Sequence, residues 1–414
     1  MSEISERPRL RPVEAFPVEV DGKQGFALRD PHKYAPGTVF LTPPAFFIAA
    51  LFDGQHDAED ICGLYTRKFG DDLPPETIRR LAHELDESYF LDSPRFRSMR
   101  SQMIRMYHEA TRRPAVLAGA SYPTDPVQIR AALDELLAPT GTEPETAPPD
   151  AGELRGLLVP HIELNRGKAA YAHGYRLLRE RAGTFDRVVI LGVSHFGESG
   201  APYTMTVKDF ETPLGILEAD REFIQAIEER TGPHLYEDEM AFRHEHSMEF
   251  PVLLLQHLFG PKPPFRIVPV ICGSYQEQIR AGVTPESDPH VDGFLKALRE
   301  TIAASPGRTL LLGSVDLSHV GPRFGDPARA EGDLLKRIEE ADRACLEPAA
   351  RVDAEGFYRS LASIGDRYRA CGLAAIYSFL RTVDADRGTL LSYGQSPEAE
   401  TGSVVTFPAM AFTK

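Results

Sequence analysis

The chain has 414 residues, 42% of them hydrophobic and 26% charged, with a formal net charge of -15. That length buries a large core and predicts two domains, while the acidic balance argues against nucleic-acid or anionic-membrane binding, which needs clustered Lys and Arg. The N-terminus MSEISERPRL has no apolar signal core and no stretch approaches the ~18 apolar residues of a membrane span, so a cytoplasmic protein is expected, with no membrane partner. Cys62, Cys272, Cys345 and Cys371 are far apart and form no CxxC pair, which speaks against both a disulfide framework and a structural zinc finger.

In chain order, Val18 to Val20, Asp21-Gly22 and Gly25 to Leu28 read as a hairpin, and Thr38 to Leu41 as another short strand. Helices are predicted over Pro43 to Phe52, from Asp57 as cap to Gly70, and from Pro75 onward. A small sheet followed by three helices, with FALRDP, FDGQHDAEDI and LDESYFLDSP, resembles a PqqD-like winged-helix domain, which in its family binds a peptide. A packing or dimerisation domain without a ligand is the alternative.

Between Arg95 and Arg113 a basic segment interleaves Arg95, Arg97, Arg100, Arg105, Arg112 and Arg113 with Phe96, Met99, Met103 and Met106 at helical spacing. We read it as a linker helix with a packed apolar stripe, because stripes of this period are usually packing faces. A nucleic-acid or phosphopeptide contact is the other reading, and a DNA-binding winged helix follows from it. The stretch from Ala138 to Gly152 reads as a linker or a long surface loop.

From Leu154 onward strands and helices alternate. Strands are predicted at Leu154 to Val159, Arg187 to Leu191, Phe265 to Ile271 and Thr309 to Leu312, and helices at Lys168 to Arg181, Asp220 to Arg230 and Ser247 to Leu258. The strands are runs of Val, Ile and Leu without polar alternation, as expected where helices cover both faces of a sheet. An α/β sandwich follows. Gly388 to Tyr393 and Val404 to Phe412 are expected to pair as edge strands.

Four segments set a histidine in polar company beside an apolar run: LLVPHIE with His161, VVILGVSHFG with His195, EHSMEF with His246 opening a helix, and LLLGSVDLSHVG with Asp316 and His319. Three of them place the polar group where a buried parallel strand ends, the position at which open α/β sheets bind ligands. Two imidazoles and one anionic ligand form a common site for borderline divalent metals. His161 and His195 are the imidazoles; Asp316, Glu249 and Cys371 are the candidates for the third ligand. Cys371 lies where a helix begins, near Arg367 and Arg369, a setting that lowers a thiol pKa. For any one residue the plain alternatives are a hydrogen-bonded structural histidine and a small core cysteine. Ser194 in GVSHFG lacks the following glycine of a G-x-S-x-G elbow, which removes a serine hydrolase.

PHIEL at 160–164, GVSHFG at 192–197, EHSMEFP at 245–251, SVDLSHVGPRFG at 314–325, ACGLAAI at 370–376 and LLSYGQS at 390–396 resemble, in this order, the Memo family. The resemblance reaches back to AVLAGASYPTD at Ala115, read as that family's opening strand and loop, and it makes the 138–152 stretch an internal loop. It implies a class III extradiol dioxygenase-like α/β sandwich at 113–414, preceded by the PqqD-like winged-helix domain with its basic linker helix at 1–112. It further implies the Memo component (AmmeMemoRadiSam system protein B) of a system with an AMMECR1-like protein and a radical SAM protein as partners. Carried over by motif, His161, His195 and Cys371 are the metal ligands, with Fe(II) or Cu(I) as cofactor and zinc able to occupy the site. His246, Asp316 and His319 surround the metal, His319 for acid/base work, oriented or polarised by Asp316. Ile162 and Glu163 depart from the family's small residue and glycine, which implies a narrower, more acidic pocket floor. The resemblance implies a metal-dependent oxidoreductase acting on a peptide or protein, or else a non-catalytic metal-containing peptide-binding or scaffold protein.

Overall fold

In the computed structural model, which describes residues 5–139, 141, 144–146, 152–181 and 185–414, Asp21 and Gly22 both take positive φ, 51° and 73°. That pair makes a two-residue turn whose twist suits a hairpin, and it joins β1 (Glu14–Val20) to β2 (Lys23–Arg29). β3 (Val39–Leu41) pairs with β2 to complete an antiparallel sheet in the order β1-β2-β3. α1 (Pro43–Ala50) starts on two prolines behind a Thr42 cap, and α2 (Ala58–Phe69) starts on a capping box between Asp57 and Asp60. α3 (Pro75–Glu87) closes the core of this unit, in which Leu28, Ile48, Phe52, Ile61, Ile78 and Leu85 are buried.

α4 (Pro94–Glu109) carries most of the basic segment. Its buried residues are Phe96 and Tyr107, while Met106 is 63% exposed, so the predicted stripe of Phe96, Met99, Met103 and Met106 ends on Tyr107 instead. Several arginines are engaged locally: Arg97 bonds Asp92, and Arg95 and Arg100 lie over Tyr89 and Tyr34. Two compact units divide between Glu109 and Ala110.

The second unit begins with β4 (Arg112–Arg113) and α5 (Pro126–Leu136), then β5 (Leu154–Val159), α6 (Lys168–Arg181) and β6 (Arg187–Val193). Three short strands follow, β7 (Tyr203–Met205), β8 (Asp209–Thr212) and β9 (Gly215–Leu217), then α7 (Arg221–Thr231) and α8 (His246–Phe259). β10 (Arg266–Cys272), α9 (Gln276–Ala281), α10 (Pro289–Ala304), β11 (Thr309–Ser314) and β12 (His319–Val320) lead to α11 (Asp333–Ala350) and α12 (Ala354–Ala362). α13 (Leu373–Thr382) and the hairpin β13 (Arg387–Glu398) and β14 (Ser403–Thr413) end the chain.

The main sheet runs β12-β14-β5-β11-β6-β10-β7, with β13 on β14. β5, β11, β6 and β10 are mutually parallel, whereas β14 and β7 run antiparallel to their neighbours. The α/β architecture is therefore mixed rather than wholly parallel. β6 is buried along its whole length, and its Val189 and Leu191 share a core with Val268 and Val270, and with Ile376 and Phe379 of α13.

Three sequence expectations are corrected. β14 is not an edge strand: it is buried throughout and sits between β5 and the outer strands, leaving β13 as its outer partner. The 115–125 stretch forms a loop closed by an Ala118–Tyr122 bridge, and the strand that precedes it is the two-residue β4, paired with β8. Arg113 does not belong to a basic surface; it is fully buried against Glu249. Most of the 138–152 stretch lies outside the described residues; within it the Glu145 carboxylate pairs with Arg343. Among the described residues no helix is long and apolar enough to cross a membrane.

Candidate metal centre

The parallel order β5-β11-β6 puts three carboxyl ends side by side, and each is followed by one polar residue of the site. His161 follows β5, Asp316 follows β11 and His195 follows β6. His246 enters from α8, and Cys371 stands just before α13, so five segments far apart in sequence converge.

His161 is 1% exposed. Its Nδ1–H donates to the Ser314 carbonyl at 2.8 Å, which leaves Nε2 as the open lone pair. Nε2 lies 3.4 Å from Cys371 Sγ and 3.7 Å from Asp316 Oδ2. Burial, aided by the nearby His195, lowers the His161 pKa against the pull of Asp316, so the ring is neutral.

His195 is held at two atoms by one carboxylate. Its Nδ1–H donates to Glu245 Oε1 and its backbone N–H to Oε2, both at 2.9 Å. Burial works against an imidazolium here, yet the Glu245 charge and hydrogen bond outweigh it and the pKa is raised. Glu245 is fully buried. Burial alone would raise its pKa, but the charges and hydrogen bonds of His195 and His246 hold it far below the usual carboxylate range. It also caps α8 by accepting the Ser247 N–H at 3.0 Å, and His246 Nδ1 lies 3.4 Å from its Oε1. Ligand atoms of His161, His195 and His246 all lie within 4.8 Å of one another.

The donors fit a borderline metal ion: imidazoles with Nδ1 committed outward and Nε2 open, and a sulfur beside them. The Cys371 thiol, however, is not activated as its sequence context suggests. Burial first, then the Asp316 charge, push its pKa well above the ordinary value. The expected cations are turned elsewhere: Arg369 pairs with Asp326 and donates to the His319 carbonyl, and Arg367 lies over the Tyr368 ring. Gly372, next to Cys371, has to be glycine, because a Cβ there would come within 2.5 Å of the Asp316 carbonyl oxygen.

His319 lies in β12 and is oriented by Leu317, whose carbonyl accepts its Nδ1–H at 2.9 Å. Oδ1 of Asp316 accepts the backbone N–H groups of His161 and Ile162, at 3.0 and 3.2 Å, and the charge of its carboxylate acts on His319 through space. Burial drives the His319 pKa down to about 4 despite that charge. At pH 7 it is a neutral acceptor at Nε2, not a group poised near neutrality. Ile162 packs on Gly167, and Glu163 is exposed.

Glu249, a candidate third ligand by sequence, belongs to the frame. It is fully buried, pairs with Arg113, and accepts from the Tyr122 hydroxyl and the N–H groups of Val116 and Leu117. Glu245 is the residue that sequence reasoning left without a role. Its one signal is an acidic residue directly before His246, where Ser, Thr, Asp or Asn is the usual helix cap.

The Memo-like protein family model matches residues 112–411, which include every residue of this site. A MEMO1 family protein of Aquifex aeolicus is 28% identical over 404 residues, spanning 97% of this chain and 99% of its own length. One of Thermus thermophilus is 29% identical over 335 residues, 80% of this chain and 92% of its own. One of Methanopyrus kandleri is 30% identical over 314 residues, 73% of this chain and 99% of its own. With its histidine, aspartate and cysteine motifs gathered at the carboxyl ends of the central strands and the family model spanning well over half its length, the chain belongs to the Memo family.

Proposed function

We propose that this protein is a mononuclear metal-dependent oxidoreductase working in an AMMECR1/Memo/radical SAM system on a peptide or protein substrate. The observation that supports it is the convergence of His161, His195 and His246, with ligand atoms within 4.8 Å of one another and Cys371 Sγ against His161. His161 and His195 would hold an Fe(II) or Cu(I) ion through Nε2 and Cys371 through Sγ, with His246 beside them; zinc also suits these donors. When bound, such an ion supplies redox and Lewis-acid chemistry.

The chain supplies the rest. Glu245 sets its negative charge against His195 and His246 and fixes the His195 tautomer. Because the Cys371 pKa is raised, holding an ion through Sγ would require loss of its proton, which would couple binding to pH. His319 has its Nδ1–H committed to Leu317 and stays neutral, so its Nε2 would accept a hydrogen bond from substrate and orient it.

For the first unit we propose a PqqD-like winged-helix role, the capture of a peptide, whose effective concentration at the second unit is raised by the covalent tether between the two. In support, the Aquifex relative aligns over 97% of this chain, so it spans both units. A non-catalytic metal-containing peptide-binding or scaffold role is the second reading.

Anaerobic purification with elemental analysis tests the metal. Near-stoichiometric iron or copper is expected, with lower content or a different metal in Cys371→Ser; unchanged content and identity in that variant removes the thiol from the site. Oxygen consumption by the loaded protein with peptide substrates selects the oxidoreductase, and its absence selects the binding role.

A further inference from the structure

Unlike His161 and His195, Cys371 does not follow a strand of the sheet. It sits in the connection between α12 and α13, and that connection contains two non-glycine residues in the left-handed region, Asp366 at φ 47° and Arg369 at φ 55°. Such conformations persist only where the surroundings enforce them. Asp366 provides the enforcement.

Its side chain is turned inward, and the residue is 5% exposed. Oδ1 accepts the Ala370 N–H at 2.9 Å, the backbone carbonyl accepts the Arg369 N–H at 2.9 Å, and Oδ2 accepts the Gln276 side-chain amide. Gln276 opens α9, just beyond the carboxyl end of β10. The turn is thus pinned on one side to the sheet through Gln276. On the other side Cys371 N–H donates to Leu317 O at 3.2 Å and Gly372 N–H to Asp316 O at 3.0 Å.

We infer that Asp366, braced by Gln276, is the positioning residue that sets Cys371 Sγ against the histidine cluster. It touches neither substrate nor metal and acts only through the Ala370–Cys371 backbone. The inference rests on the reading above that Cys371 ligates the metal. The amide oxygen of asparagine can accept the same Ala370 N–H, and Gln276 can turn its amide oxygen to accept from the asparagine Nδ2, so Asp366→Asn retains the position, whereas Asp366→Ala releases it.

The test replaces the native ion with Co(II) in the full-length protein and records the sulfur-to-cobalt charge-transfer band together with Co(II) affinity. Asp366→Ala is expected to lose most of the band and to weaken affinity by about 10-fold or more, the usual effect of losing a partner that orients a ligand. Asp366→Asn is expected to keep both, and Gln276→Ala to give a partial loss without touching the turn itself. A normal band in Asp366→Ala, with or without a lower melting temperature, overturns the inference, as does equal loss in the Ala and Asn variants. If wild type shows no band, or Cys371→Ser shows the same band, the ligand reading has failed and the positioning role falls with it. Should Asp366→Ala not fold, a wild-type band and affinity in Gln276→Ala overturn the brace.

Discussion

The two sides of this site are built differently. The imidazole side is fixed by regular structure: His161 and His195 leave parallel strand ends, His246 opens α8, and the first two have Nδ1 committed to Ser314 and Glu245. The thiol side is an irregular connection with two left-handed residues, and its sulfur is protonated and weakly bonded, 3.4 Å from His161 Nε2 and 3.7 Å from the Asp316 carbonyl. Strand ends inherit their positions from a packed sheet and cannot drift without disturbing it. A turn depends on a few hydrogen bonds. The metal affinity of this protein should therefore come mainly from the imidazoles, and the identity of its metal from the sulfur.

The largest effect should come from removing an imidazole. His161→Ala or His195→Ala is expected to cut metal affinity by more than the roughly 10–100-fold typical of a supporting partner, with circular dichroism unchanged. Full metal content in both variants would end the case for this centre.

Next is Glu245→Gln, which keeps a cap acceptor for α8 but removes the charge that faces His195 and His246. Titration with metal should show about 10–100-fold weaker binding, with the fold retained. In the metal-free protein the same change has a pH signature. His195 has a raised pKa, so its pairing with Glu245 contributes stability below about pH 6.5 that is lost as pH rises through the folded value. Melting curves of Glu245→Gln should lose that contribution on the acid side; unchanged acid stability would mean that the pair is not charged.

His319 gives a smaller effect of opposite sign. Its pKa is lowered to about 4, so the folded protein resists protonating it while the unfolded chain does not. Stability from this group is present above about pH 6.5 and is lost as pH falls towards 4, roughly 1–3 kcal/mol in all. His319→Gln should flatten the acid limb of apparent stability and leave metal content intact. Metal loss equal to that of His161→Ala would make His319 a ligand.

The smallest effect on the metal is expected from removing residues 1–109. Ala110 and Thr111 accept bonds from Lys208 and Asp209, and Arg113 is buried with Glu249, so the cut has to fall before them. Elemental analysis should find the metal retained, and titration with the proposed radical SAM partner or a candidate peptide should find weaker engagement. Equal affinity of both lengths would give the first unit another task, such as dimerisation.

The four long parallel strands, the helices α1 to α3 and α6 to α8, and the four histidine segments were legible because each is a local pattern. Runs of Val, Ile and Leu mark buried strands, Asp57 and Pro75 mark helix starts, and Asp21-Gly22 marks a turn. What escaped were features decided across the chain. Glu249 reads like a ligand until Arg113, 136 residues away, is seen to claim it. Cys371 reads as an activated thiol until Arg367 and Arg369 are seen to be occupied elsewhere and the sulfur is found buried beside Asp316.

By itself, then, the sequence determined which residues end strands and start helices, because backbone preference and hydrophobic period act over a few neighbours. Only the tertiary structure decided which charges meet. Sheet order brings β5, β11 and β6 together, and that order is set by long-range pairing. Whether a carboxylate binds a proton, a histidine or an arginine depends on burial and on neighbours within a few ångströms, and no spacing along the chain encodes those distances.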